Sequence, residues 1–99
     1  MTSNFREIID SDKPVLVDFY ADWCEPCKLV PPILQEVANE MGDKIRIVKI
    51  DVDKNQDLAA SYNVKSVPTL MIFKHSQLLW REAGFMYAKP MVSLLEQYL

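Results

Sequence analysis

Val15-Leu16-Val17-Asp18-Phe19-Tyr20 is apolar on both faces of an extended chain, with Asp18 the one interruption. Side chains alternate across a strand, so such a run faces water on neither side. It predicts a central β-strand covered on both faces, which confines the chain to layered α/β architectures. Its 99 residues, 49% of them hydrophobic, suffice for one core, and residues 1–99 read as a single domain without repeat, linker or low-complexity segment.

The flanking pattern alternates in kind. Asn4 is a candidate cap for a helix over Phe5 to Ile9, with Glu7 completing a capping box. Asp10 to Pro14 reads as a turn. A second helix is expected from the cysteines at 24 and 27 to about Met41, with Leu29, Ile33, Leu34, Val37 and Met41 facing inward. Pro31 and Pro32 cannot donate to the carbonyls of Cys27 and Lys28, so a kink or break belongs there. Gly42-Asp43 ends the helix. Ile45 to Asp51 reads as another buried strand and Gln56 to Tyr62 as a short third helix. Thr69 to Phe73 and Leu78 to Glu82 form a hairpin around Lys74-His75-Ser76-Gln77. Pro90 suits the first turn of a last helix ending at Leu99. The order α-β-α-β-α-β-β-α implies parallel pairing through a right-handed crossover, then an antiparallel hairpin.

Charge narrows the partners. The net charge is −3 with both signs interspersed, which argues against nucleic acid and leaves no polybasic membrane patch. No apolar stretch approaches the ~18 residues a bilayer span needs. Met1 to Arg6 lacks the basic start and apolar middle of a signal peptide, so a cytoplasmic setting is expected. A purely structural disulfide would be unusual there.

That bears on Trp23-Cys24-Glu25-Pro26-Cys27-Lys28, which contains the only two cysteines. A close dithiol where a strand meets a helix either exchanges electrons with another disulfide or grips half of a metal site. Two cysteines and one remote histidine, His75, cannot fill a tetrahedral zinc site without ligands from another chain. Inert buried thiols are the plainer alternative, and Trp23 and Pro26, expected to be exposed, argue against it.

Taken together, several segments resemble the thioredoxin family over nearly the whole chain. They are Val17-Asp18-Phe19-Tyr20, Trp23 to Lys28, Pro32, Lys49 in Val48-Lys49-Ile50-Asp51, Val67-Pro68-Thr69, and Gly84. The resemblance implies a thioredoxin-like three-layer fold: a mixed sheet of four strands, or five with a stub of the first, between helices. Three departures stand out. Glu25 replaces the usual glycine, His75-Ser76 replaces a hairpin containing one, and the family's first edge strand is missing or vestigial.

The resemblance also implies a function, protein-disulfide reduction by a dithiol electron carrier that serves cell redox homeostasis. Its partners would be a thioredoxin reductase or equivalent donor and disulfide-containing target proteins. A monomer is expected, with no metal and no cofactor beyond the reversible Cys24–Cys27 disulfide. Cys24, at a helix N-terminus, suits the nucleophile, because unpaired N–H groups and the helix dipole favour a thiolate. Cys27, three residues on and deeper, suits the resolving thiol. Desolvation of Asp18 raises its pKa towards neutrality, fitting it for proton transfer with Cys27; a structural ion pair is the alternative role. Lys49, the counterpart of a buried family lysine, would oppose that rise. Pro68 resembles the family's cis proline, leaving Val67's backbone free to bond an extended substrate. Trp23, Pro26, Val67, Gly84 and Phe85 would form an apolar docking surface. Glu25 is read two ways: it disfavours the Cys24 thiolate, or it is a solvated acid that adjusts partner choice. With no histidine between the cysteines, a reductant is expected over an oxidase.

Overall fold

The computed structural model describes residues 2–99, with side chains from Asn4 onward. Helix α1 (Thr2–Ile9) leads to β1 (Val15–Tyr20), and a 3₁₀ turn (Pro26–Leu29) runs into α2 (Val30–Met41). After a second 3₁₀ turn (Gly42–Lys44) come β2 (Arg46–Asp51), α3 (Gln56–Ser61), β3 (Thr69–Lys74), β4 (Gln77–Ala83) and α4 (Ala88–Glu96). The strands lie in the order β2-β1-β3-β4, with β1 parallel to β2 and the other pairs antiparallel. Among the described residues no strand precedes α1, in keeping with a four-stranded sheet.

The double-faced apolar run behaves as its chemistry demands. Val15, Val17 and Phe19 pack with Phe5 and Ile9 of α1 and Leu58 of α3. Leu16 turns the other way, onto Val30, Leu34 and Val37 of α2 and Met91, Val92 and Leu95 of α4. Asp18 shares parity with Leu16 and so faces the α2 side.

Four local expectations need correction. Asn4 lies inside α1 instead of capping it, because burial of Phe5 and Ile9 against the sheet sets the helix and lets it extend upstream. The dithiol segment is 3₁₀ and not α-helical. Pro31 has no N–H for the Cys27 carbonyl, and Val30 takes that carbonyl instead, an i to i−3 bond. Leu29, in that turn, is exposed. Finally, β2 is an edge strand, only half covered through Arg46 to Lys49.

Tight turns follow local chemistry. Gly42, at φ +57°, ends α2. The hairpin turn has positive φ at both His75 (+51°) and Ser76 (+66°), the backbone of a two-residue I′ turn. Neither residue is the usual glycine. Their N–H groups donate to Ser11 O (2.8 Å) and Ile9 O (2.9 Å), so contacts from the end of α1 hold the turn.

Candidate active site

Parallel strands β1 and β2 end together at Tyr20 and Asp51, and the loops beyond them form the site. Open α/β sheets generally bind ligands at such carboxyl ends. Cys24 and Cys27 are disulfide-bonded, with Cα atoms 5.3 Å apart. Cys24's N–H donates to Ala21 O (3.2 Å), and Cys27's N–H donates to Cys24 Sγ (3.2 Å). The second bond aims a backbone dipole at the sulfur that would carry charge after reduction.

The expected difference in depth between the cysteines is absent, since Cys24 is 4% exposed and Cys27 6%. Surroundings distinguish them instead. Cys24 Sγ lies 3.5 Å from the carbonyl oxygen of Val67, on the loop before β3. Cys27 lines a cavity of about 180 Å³ together with Asp18, Tyr20, Lys28, Pro31 and Lys49. The fold thus brings Asp18 and Cys27 to one small solvent space, away from the Val67 side.

Asp18 is 1% exposed, and neither carboxylate oxygen has a hydrogen-bond partner among the described residues. Burial pushes its pKa from 3.8 to about 6, while the Lys49 ammonium pulls it down. Lys49 is the register partner of Asp18 on β2, yet it is exposed, unlike the buried lysine the resemblance implies. The edge position of β2 explains this. Its ammonium sits 5.2 Å from the centroid of the Tyr20 ring and forms no ion pair with Asp18. Burial and the carboxylates of Asp51, Asp22 and Asp18 push the Tyr20 phenol up.

On the other side, the Val67–Pro68 bond is cis. Pro68 is buried and Val67 half-buried, and among the described residues Val67's N–H and C=O join no other backbone group. Trp23 is 69% exposed, Pro26 is exposed, and an apolar hollow of about 110 Å³ lies between Trp23, Val52, Val64 and Val67. Gly84 joins this face by donating its N–H to Pro68 O (2.7 Å). Phe85 turns largely into the α2–α4 core.

Gly84 has φ +105°, and a Cβ built there would meet nothing within 4 Å. Its requirement is backbone conformation and not close packing within the chain. Gly84→Ala is expected to cost about 1–2 kcal/mol, read as a lower urea midpoint with unchanged m-value. A loss above about 4 kcal/mol would point to a steric clash instead.

Asp53 was missed by the sequence reading. Its Oδ2 accepts the Trp23 indole N–H (2.8 Å), while Asp51 Oδ1 accepts the N–H groups of Asp53 (2.9 Å) and Lys54 (3.3 Å) and shapes the loop. The available signal was topological, since the loop after β2 must lie beside the loop after β1. Glu25 is exposed and paired with Lys28 at 3.2 Å across one turn.

The thioredoxin family model matches residues 1–97. The chain is 45% identical over 89 residues to thioredoxin of Bacillus subtilis (strain 168), covering 90% of this chain and 86% of that protein. It is 45% identical over 98 residues to chloroplastic thioredoxin Y of Oryza sativa subsp. japonica, covering 98% of this chain but only 58% of that longer protein. A crystal-form mutant aside, the fold of thioredoxin from Halobacterium salinarum NRC-1 superposes with a TM-score of 0.87 at 34% identity, over 97% of this chain and 83% of that one.

The chain belongs to the thioredoxin family. It is a thiol–disulfide oxidoreductase, and its Cys24–Cys27 pair is the exchanging dithiol. In this thioredoxin-family chain the four-stranded mixed sheet between helices carries that pair at the end of β1.

Proposed function

We propose that the chain, acting as one thioredoxin domain, reduces disulfides in target proteins, drawing electrons from a thioredoxin reductase or an equivalent donor. The observation that carries the direction and the roles is the asymmetry around the disulfide. Cys24 adjoins the exposed Val67 backbone and receives the Cys27 N–H, whereas Cys27 shares a cavity with a carboxyl of pKa about 6.

In this reading the Cys24 thiolate attacks a substrate sulfur, forming a mixed disulfide as the substrate S–S bond breaks and its first thiolate leaves. Asp18, mostly ionised at pH 7, takes the Cys27 proton. The Cys27 thiolate then attacks Cys24 Sγ, releasing the second substrate thiolate, which is protonated. Two electrons pass to the substrate and the enzyme is left oxidised. Lys49 tunes Asp18. Trp23, Pro26, Val67, Pro68 and Gly84 bind an extended substrate segment, with Val67's backbone pairing to it as an added strand. Glu25, tied to Lys28, acts on partner choice more than on the Cys24 thiolate. No metal and no further cofactor takes part, and the protein works as a cytoplasmic monomer.

Equilibration against glutathione tests the direction. A potential near or below roughly −270 mV is expected, a general thioredoxin figure and not one derived from this chain. A value near about −180 mV would mean isomerase-like use and sink the reductant reading.

A further inference from the structure

The outer edge of β2 has the geometry of a second binding surface, independent of the dithiol. Arg46's N–H donates to Pro14 O and Val52's to Tyr20 O, both at 2.9 Å. Bonding direction alternates along a strand, so Arg46, Val48 and Ile50 turn their backbone groups towards β1. Ile47 and Lys49 must turn theirs outward. Among the described residues, nothing pairs with those outward groups.

A groove of about 290 Å³ runs beside this edge, lined by Pro31, Leu34, Gln35 and Ala38 of α2 with Ile47 and Lys49 of β2. An added strand would point alternate side chains into it. Pro31 and Lys49 also line the Asp18–Cys27 cavity, so the groove leads to the redox site.

Charge selects the occupant. Arg46 and Lys49 are exposed, and neither forms an ion pair among the described residues. Lys44 is exposed just upstream, and Lys13 reaches across to the carbonyl of Asp43, the nearest exposed acid at that end. This edge is therefore locally basic in a chain of net charge −3. Edge cations discourage like edges from pairing, because two copies would bring their own Arg46 and Lys49 into one short ladder. We propose that the β2 edge docks an extended segment of a partner protein with alternating acidic and apolar residues, added to the sheet as a fifth strand. Its apolar side chains enter the α2 groove and its carboxylates meet Arg46 and Lys49.

The probe is a seven-residue peptide, capped at both ends, of alternating Glu and Val, with a Lys-for-Glu version as control. Amide hydrogen exchange followed by NMR reads the edge residue by residue. With the Glu peptide at saturation, Ile47 and Lys49 are expected to exchange at least about tenfold more slowly, while Val48, already bonded to β1, changes little. Arg46→Glu should weaken binding by about fivefold or more, and added salt should weaken it too. Ile47→Pro removes an outward N–H without touching the β1 ladder, so it should abolish binding and leave disulfide exchange intact. Arg46→Glu stands as the test if that proline variant does not fold. Absence of protection, or equal protection by the Lys peptide, overturns the proposal. Protection that appears without peptide as protein concentration and sedimentation mass rise overturns it too, by making a second copy the occupant.

Discussion

A Cys27→Ser protein is expected to accumulate mixed disulfides with its targets through Cys24 and to turn over at less than about a thousandth of the parent rate. The parent's second thiol is held with its Cα 5.3 Å from that of Cys24. Groups positioned for reaction act at effective molarities upward of about 10⁵ M. Millimolar external thiol cannot match that, so the first covalent complex persists. The attacking step should remain, because serine at 27 keeps the N–H that donates to Cys24 Sγ. Non-reducing gels with mass spectrometry of the adducts check the result. Cys24→Ser is the matched control and should capture nothing. Adducts on Cys27 in that control, or none on Cys24 in the first variant, would reverse or remove the assigned roles.

Why the thiol positions were legible and their environments were not is a matter of range. The run Val15–Tyr20 appears in the structure with the same bounds, because a segment apolar on both faces has one stable position in a sheet. Pro31 and Pro32 announced a break through the donors they lack, and Gly42 a stop through its positive φ. These are local facts. The edge status of β2 is not, since Ile47-Val48 reads the same whether or not another strand lies outside it. Exposure of Lys49 follows from that edge and was misjudged with it. The bond from Trp23 to Asp53 spans 30 residues and becomes visible only once β1 and β2 are paired. Asp18 lies between the two kinds. Its burial was readable from its neighbours on the strand, but the lack of any partner for its oxygens depended on where Lys49 went.

That orphaned carboxyl underlies the second large effect. Asp18's pKa is raised from 3.8 to about 6, so the folded protein binds this proton more tightly than the unfolded chain does. The stabilisation from the bound proton is full below about pH 4 and is lost as pH rises through about 6. Above that the cost is constant. At 1.36 kcal/mol per pKa unit, the loss between pH 4 and pH 8 is about 3 kcal/mol. Asp18→Asn should lack this part of the pH dependence, whatever fixed cost the buried amide brings. Urea unfolding of both proteins at pH 4 and pH 8 isolates it as a difference of differences, and a value near zero would show that the carboxyl is not desolvated. The same substitution removes the base that shares a cavity with Cys27. Stopped-flow reduction of a disulfide substrate should then show attack by Cys24 nearly unchanged and release of reduced product slowed by about 10²-fold. Equal slowing of both steps would assign Asp18 to holding the site together. Slowing of release alone, in a protein made more stable at neutral pH, would mean that the fold tolerates a destabilising charge because the reaction uses it.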